Sequence, residues 1–329
     1  MINTPVLLIC FNRADHASQV LAKIVEAKPK DLYVFRDHWR ENRPGEQEKC
    51  EEVRALIEEI GLMNKDITLH TLYPDHNLGC GPGPMTALNW FFSENEMGII
   101  FEDDAVPHPD FFPYCEELLN KYKDDESVYT IGSMRIDTRK YGDGSYYFTM
   151  QNRNLCAWAS WHRAWNVFDY ELKDVTKEKL NDVLKNYYHM NLRMREKWCE
   201  RLDILHNGQE GNRSWDMQFF ISIWMHHGKG IFPNATLSSN IGFDECATHI
   251  ANPNNVAANR PLEGIMPLTH PTSNKIVRKA DIMHDSLYTQ PQEYGWSGLK
   301  RLPYRVNKRI KKYFGVTGSW KNFLLSKLR

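Results

Sequence analysis

Short uninterrupted apolar runs alternate along this chain with longer stretches in which apolar residues recur every three or four positions. Residues 5–11, PVLLICF, form the first run, and such runs read as strands buried on both faces of a parallel sheet. Asp15 stands where a helix cap belongs, ahead of Ala17, Val20, Leu21, Ile24 and Val25 at helical spacing. Residues 31–35 read as a second strand. Val53, Leu56, Ile57 and Ile60 mark a second amphipathic helix, with Gly61 at its expected C-terminal end. Residues 67–72 read as a third strand, 73–84 as a loop carrying three Gly and three Pro, 85–94 as a helix and 97–101 as a fourth strand. This alternation predicts an α/β fold built on a doubly wound, mostly parallel sheet.

Beyond about residue 133 the pattern loosens. Residues 141–147, rich in Gly and Tyr, read as a hairpin, and Trp158, Trp161 and Trp165 stand at helical spacing. Residues 176–227 read as helices broken by a loop at 206–213, and 252–271 as coil rich in Asn and Pro.

Composition adds three constraints. Hydrophobic residues make up 42% and aromatic residues 12% of the 329, enough for a well-filled interior, so disorder is not the expectation. The net charge of −1 conceals a basic end: residues 298–329 carry ten Lys and Arg and no acid, so the rest of the chain is acidic by eleven. The seven cysteines include no Cys-x-x-Cys pair, which points to free thiols in a reducing compartment. The first apolar run has no basic residues before it and is far shorter than the roughly 18 residues of a membrane span, so a cytoplasmic protein is expected.

The strongest chemical signal is Glu102-Asp103-Asp104, three carboxylates at the end of a buried strand, the edge at which open parallel sheets bind ligands. Crowded acids repel one another unless a cation or a protonated member relieves them. Mg²⁺ or Mn²⁺ bridging to diphosphate oxygens is the simplest relief. The plainer reading is a solvated acidic turn that caps the helix beginning near Pro109. Arg13, just past the first strand, could face phosphate, and Asp37, just past the second, could accept hydrogen bonds from a base or ribose.

Residues 4–13, TPVLLICFNR, and 102–112, EDDAVPHPDFF, resemble the GT-A glycosyltransferases near N-acetylglucosaminyltransferase I, and still more the bacterial glycosyltransferases of surface-polysaccharide synthesis. The resemblance runs in patches over roughly residues 4–250. It implies a GT-A-like sheet with helical additions on the acceptor side, Asp104 as metal ligand, and Glu102 and Asp103 acting on the ribose or through water. It also places Phe11, Arg13 and Asp37 at the nucleotide sugar. Residues 155–161, LCAWASW, resemble the segment that contacts donor sugar and acceptor, which puts Trp158 there. Ser214-Trp215-Asp216 resembles the motif that supplies the catalytic base, with Glu210 in reserve. Residues 239–243 and Thr248-His249 resemble the late loop over the nucleotide sugar, with His249 a further metal or phosphate ligand. Residues 77–84, NLGCGPGP, depart from the family's charged approach to the next helix.

The expected organisation is then a nucleotide-sugar-binding half at 1–135, an acceptor-binding and catalytic half at 136–290, and a basic amphipathic tail at 291–329. The expected activity is transfer of a sugar from a nucleotide-diphosphate donor, UDP favoured by the resemblance, to a glycan or lipid-linked saccharide, with Mn²⁺ or Mg²⁺ and inversion at the anomeric carbon. A sugar nucleotidyltransferase and a catalytically silent glycan-binding protein are the alternatives. The first should carry a Gly-rich loop after strand one, where this chain reads Asn12-Arg13-Ala14-Asp15. Lys308-Arg309-Ile310-Lys311-Lys312-Tyr313-Phe314 interleaves cations with apolar anchors and suits an anionic membrane surface, placing the protein on the inner face of the plasma membrane. Nucleic acid is not expected as a partner, since the acidic body would be repelled.

Overall fold

The computed structural model describes residues 1–135, 137–151, 157–207, 215–243 and 258–288. The chain divides into two compact units, Met1–Asp285 and Ser286–Arg329, and the sheet and every helix that begins before Arg278 belong to the first. In order the elements are β1 (Val6–Cys10), α1 (Ala14–Ala27), β2 (Asp31–Arg36), α2 (Glu46–Met63), β3 (Thr68–Leu72), α3 (Pro82–Glu94), β4 (Met97–Glu102), β5 (Ala105–Pro107), α4 (Phe111–Lys121), β6 (Val128–Gly132) and β7 (Tyr146–Thr149). The chain continues with β8 (Ala157–Trp161), α5 (His162–Trp165), α6 (Lys177–Asn186), α7 (Leu192–His206), α8 (Trp215–Met225), β9 (Lys229–Pro233), β10 (Ser238–Asn240) and α9 (Arg278–Tyr288).

Eight strands form one sheet in the order β3-β2-β1-β4-β8-β6-β9-β7. Strands β1 to β4 are mutually parallel; β8 runs against β4 and β6, and β7 runs against β9. The sheet is therefore doubly wound and mostly parallel, as the alternation predicts. All five residues of β1 are buried, which is why that run carries no polar residue. Strand order reverses between β1 and β4, and the ends of these two strands bound the crevice where such sheets take ligands.

Several local expectations are corrected. Trp158 and Trp161 lie on strand β8, not a helix, and only the single turn of α5 follows. Both faces of β8 are covered, so every one of its positions is apolar or small and burial carries no period that distinguishes strand from helix. Residues 141–145 do not fold back on 146–147 as a hairpin. Tyr146–Thr149 pairs with β9 instead, and Asn234 pins the turn through the Tyr141 N–H (2.9 Å) and the Tyr141 and Gly144 carbonyls (2.8 and 3.0 Å). Asp15 sits within the first turn of α1 beside His16; Arg13 occupies the cap position. Helix α2 continues past Gly61, whose missing side chain makes room for Leu69 of β3, since a Cβ there would lie 2.6 Å from Leu69 Cδ2.

Candidate active site

Parallel pairing sets Ile9 of β1 beside Glu102 of β4, so the residues just beyond each strand meet at the same sheet edge. Three residues separate β1 from α1, and the last, Arg13, reaches across. Its Nη2 donates to Asp103 Oδ1 and, at 3.1 Å, to Asp104 Oδ2. Asp103 and Asp104 form the turn between β4 and β5 and are both buried. The short strand β10 pairs antiparallel with β5, setting Asn240 opposite Ala105. Asn240 Nδ2 donates to Asp104 Oδ1 at 3.2 Å, and the Ile241 N–H donates to the Asp104 carbonyl at 2.9 Å.

Electrostatically, burial and the neighbouring acids oppose ionisation of Glu102 and Asp103. Burial pushes Asp103 up to about 6; Arg13 opposes that shift and Asp104 adds to it. Glu102 is raised well above the usual carboxylate range, first by burial, then by Asp104, Asp103 and Asp216, with Arg13 offsetting only part. Burial works against the Arg13 charge, but Asp103 and Asp104 outweigh it and hold the guanidinium above its ordinary value. Asp216 lies in the first turn of α8, and its carboxylate is among the groups that raise Glu102 at the end of β4. Trp215, buried against Trp158 (ring centroids 5.9 Å) and Trp165 (6.0 Å), anchors that start.

Other candidates take up different work. Asp37 is buried just past β2, and its four acceptor sites are taken. Oδ1 accepts from the His38 and Leu78 N–H groups (2.8 and 2.9 Å), and Oδ2 from the Gly79 N–H (2.9 Å) and Asn77 Nδ2 (3.1 Å). In this arrangement it fastens the 77–79 loop and has no acceptor to offer a base or ribose. This is also where the sequence departs from the family it resembles. Trp158 is fully buried, its ring among Trp215 and Phe219, so in this arrangement no sugar reaches it; it acts instead on the placement of α8. Phe11 is half-buried at the end of β1, with the Arg40 guanidinium 5.6 Å from its ring centre. Arg40 is in turn tied to the buried Glu46, which also accepts from Asn12. Glu210 and His249 lie outside the described residues.

Among the described residues no three His, Cys, Asp or Glu side chains are arranged as a ready-made metal site. The donor set nevertheless suits a hard divalent cation. Arg13 interacts with Asp103, Asp104 and Glu102, and Asp216 acts on Glu102, so carboxyl groups outnumber cations in the cluster. Mg²⁺-type sites commonly use one or two carboxylates and complete the shell with water and substrate phosphate. Asp104 fits that part: Asn240 donates to one of its oxygens and Arg13 to the other, whereas Asp37 is saturated. A separate cavity of about 480 Å³, lined by Arg139, Lys140, Tyr141, Lys279, Ile282 and Met283, shares no residue with this cluster.

No protein-family model and no curated protein matches the chain. Among solved structures it is similar to a mannosyltransferase from Pyrobaculum calidifontis in complex with GDP-Man and Mn²⁺, at 13% identity over 69% of this chain and 71% of that one, TM-score 0.37. It is also similar to an apo UDP-glucose pyrophosphorylase (9% identity, 70% and 90% coverage, TM-score 0.36) and to the glycosyltransferase GlyE of Streptococcus pneumoniae TIGR4 (9%, 67% and 44%, TM-score 0.29). Likeness this loose is no basis for an activity, and the functional reading rests on the residues of the site.

Proposed function

We propose that the chain is a metal-dependent glycosyltransferase that moves a sugar from a nucleotide-diphosphate donor to a glycan or lipid-linked saccharide. The observation that carries this reading is the meeting of Arg13 with the acidic triplet at the β1/β4 reversal, where Asp216 also acts on Glu102 and carboxyl groups outnumber cations. Asp104 would hold the Mn²⁺ or Mg²⁺, with Glu102 and Asp103 beside it. When bound, the metal supplies positive charge against the departing nucleotide diphosphate. Arg13 holds Asp103 and Asp104 in place and adds charge of the same sign. Asp216, presented by the N-terminus of α8, takes the proton from the acceptor hydroxyl as it attacks, in a single inverting displacement. On its sequence, the basic tail, outside the described residues, is proposed to hold the enzyme against an anionic membrane surface on the cytoplasmic side. No helix among the described residues is long and apolar enough to cross a membrane.

One observation weighs against the nucleotidyltransferase alternative. β1 ends at Cys10 and α1 begins at Ala14, so only Phe11, Asn12 and Arg13 lie between. That connection contains no glycine and is too short to wrap a triphosphate in successive backbone N–H groups. The test is to incubate the protein with nucleotide sugars and saccharide acceptors, with and without Mn²⁺. Transfer should need the metal and vanish in Asp104→Asn. Asp216→Asn should lower kcat by roughly 10²–10⁴-fold while donor affinity is kept. Donor binding indifferent to EDTA and to Asp104→Asn would favour the glycan-binding reading. Release of pyrophosphate from a nucleoside triphosphate and a sugar phosphate would favour the nucleotidyltransferase.

A further inference from the structure

We infer that Asn240 and Gly242, on and just after β10, are positioning residues that aim the Asp104 carboxylate; this rests on the reading of Asp104 as metal ligand. Asp104 lies in a two-residue turn, and a turn alone leaves a carboxylate free to rotate. Here one hydrogen bond from Asn240 and one from Arg13 hold the carboxylate, and a third, from Ile241, holds the backbone that carries it. Asn240 Nδ2 donates to Oδ1 at 3.2 Å, Arg13 Nη2 to Oδ2 at 3.1 Å, and the Ile241 N–H to the main-chain carbonyl at 2.9 Å. The β5–β10 ladder, with Asn240 opposite Ala105, sets this register.

The orientation of the Asn240 amide is itself determined. Its Oδ1 accepts from the Gly242 N–H at 2.8 Å, so its NH₂ must be the end that meets Asp104. Turned over, the amide would set its oxygen against a carboxylate and its NH₂ against an N–H. Gly242 adds a steric condition. A Cβ built on it would overlap Asp104 Oδ2 and crowd Asp104 Cγ, at 2.8 Å. Its backbone lies outside the left-handed region, so space alone calls for glycine there. The carboxylate thus keeps one face against Gly242 and a single orientation. Groups that orient a metal ligand in this way are worth roughly 10- to 100-fold in metal affinity.

The test reads metal binding directly. Mn²⁺ is titrated into the protein in the presence of UDP or GDP and followed by electron paramagnetic resonance, with melting recorded alongside. Asn240→Ala and Gly242→Ala both leave the backbone ladder in place, so both should fold. Each should weaken Mn²⁺ binding by about 10- to 100-fold and alter the bound Mn²⁺ spectrum, whereas Asp104→Asn should abolish the bound signal. A merely structural role for Asn240 would move melting and leave Mn²⁺ affinity unchanged. Affinity in both alanine variants within about twofold of wild type, with Asp104→Asn still inactive in binding, overturns this inference and spares the reading of Asp104. Absence of Mn²⁺ binding in the wild type overturns both.

Discussion

Replacing Asp37 separates a scaffold from a nucleotide reader. In the fold its carboxylate accepts from three backbone N–H groups and the Asn77 amide, all at 2.8–3.1 Å. Asn at this position keeps one oxygen, enough for the His38 and Leu78 N–H groups. Its NH₂ then faces the Gly79 N–H, leaving a half-buried backbone donor unmet, at a cost of about 1–3 kcal/mol. Part of that is returned. Burial outweighs the three backbone hydrogen bonds and raises the Asp37 pKa, so a neutral side chain avoids the desolvation of a charge. The expected net loss for Asp37→Asn is about 1–2 kcal/mol, and for Asp37→Ala, which strands three N–H donors, about 3–5 kcal/mol. Urea denaturation of nucleotide-free protein measures both, and amide exchange at Leu78 and Gly79 should quicken in the same order. If both variants unfold within about 0.5 kcal/mol of wild type while the donor KM rises, Asp37 serves the nucleotide and the saturation argument is wrong.

Without divalent cations, Asp103 binds its proton more tightly folded than unfolded. Its stabilising share is complete below 3.8 and is lost as pH rises through about 6. Asp103→Asn should therefore gain on wild type by up to about 3 kcal/mol between those pH values in EDTA, and a pH-independent difference in urea midpoint would contradict this. Trp158→Ala should cost about 3–5 kcal/mol, because the fully buried ring supports Trp215, and should lower kcat more than it raises the donor KM. A stable variant with only KM affected would return Trp158 to the sugar site. Gly61→Ala, which in an open helix gains up to about 1 kcal/mol, should gain less here because Leu69 Cδ2 must turn aside, and Leu69→Ala in the same chain should restore the gain. Additive effects in that double variant would mean that Gly61 and Leu69 do not collide.

Much of the first half was legible because its signals are local. The β1 run has no polar residue, and the helices that follow carry clear apolar stripes, so strand and helix separate cleanly. The segment from Ala157 to Trp165 misled because a strand covered on both faces has no two-residue alternation, and its tryptophans happen to stand three and four apart. The acidic triplet was visible as three adjacent letters. Asn240 entered only within a patch of resemblance, and nothing in the sequence says that its amide meets a carboxylate 136 positions earlier.

The sequence by itself determined the alternation of elements, the doubly wound sheet and the crowding of three acids at a strand end. These follow from periodicity and adjacency, which neighbours along the chain express whatever lies around them. Only the tertiary structure decided that Arg13 pairs with two of those acids, that Asp216 acts on Glu102, and that Asp37 is spent on a loop. Those outcomes depend on which donor stands opposite which acceptor. Strand order and register set that pairing, and they are settled by packing the whole chain at once.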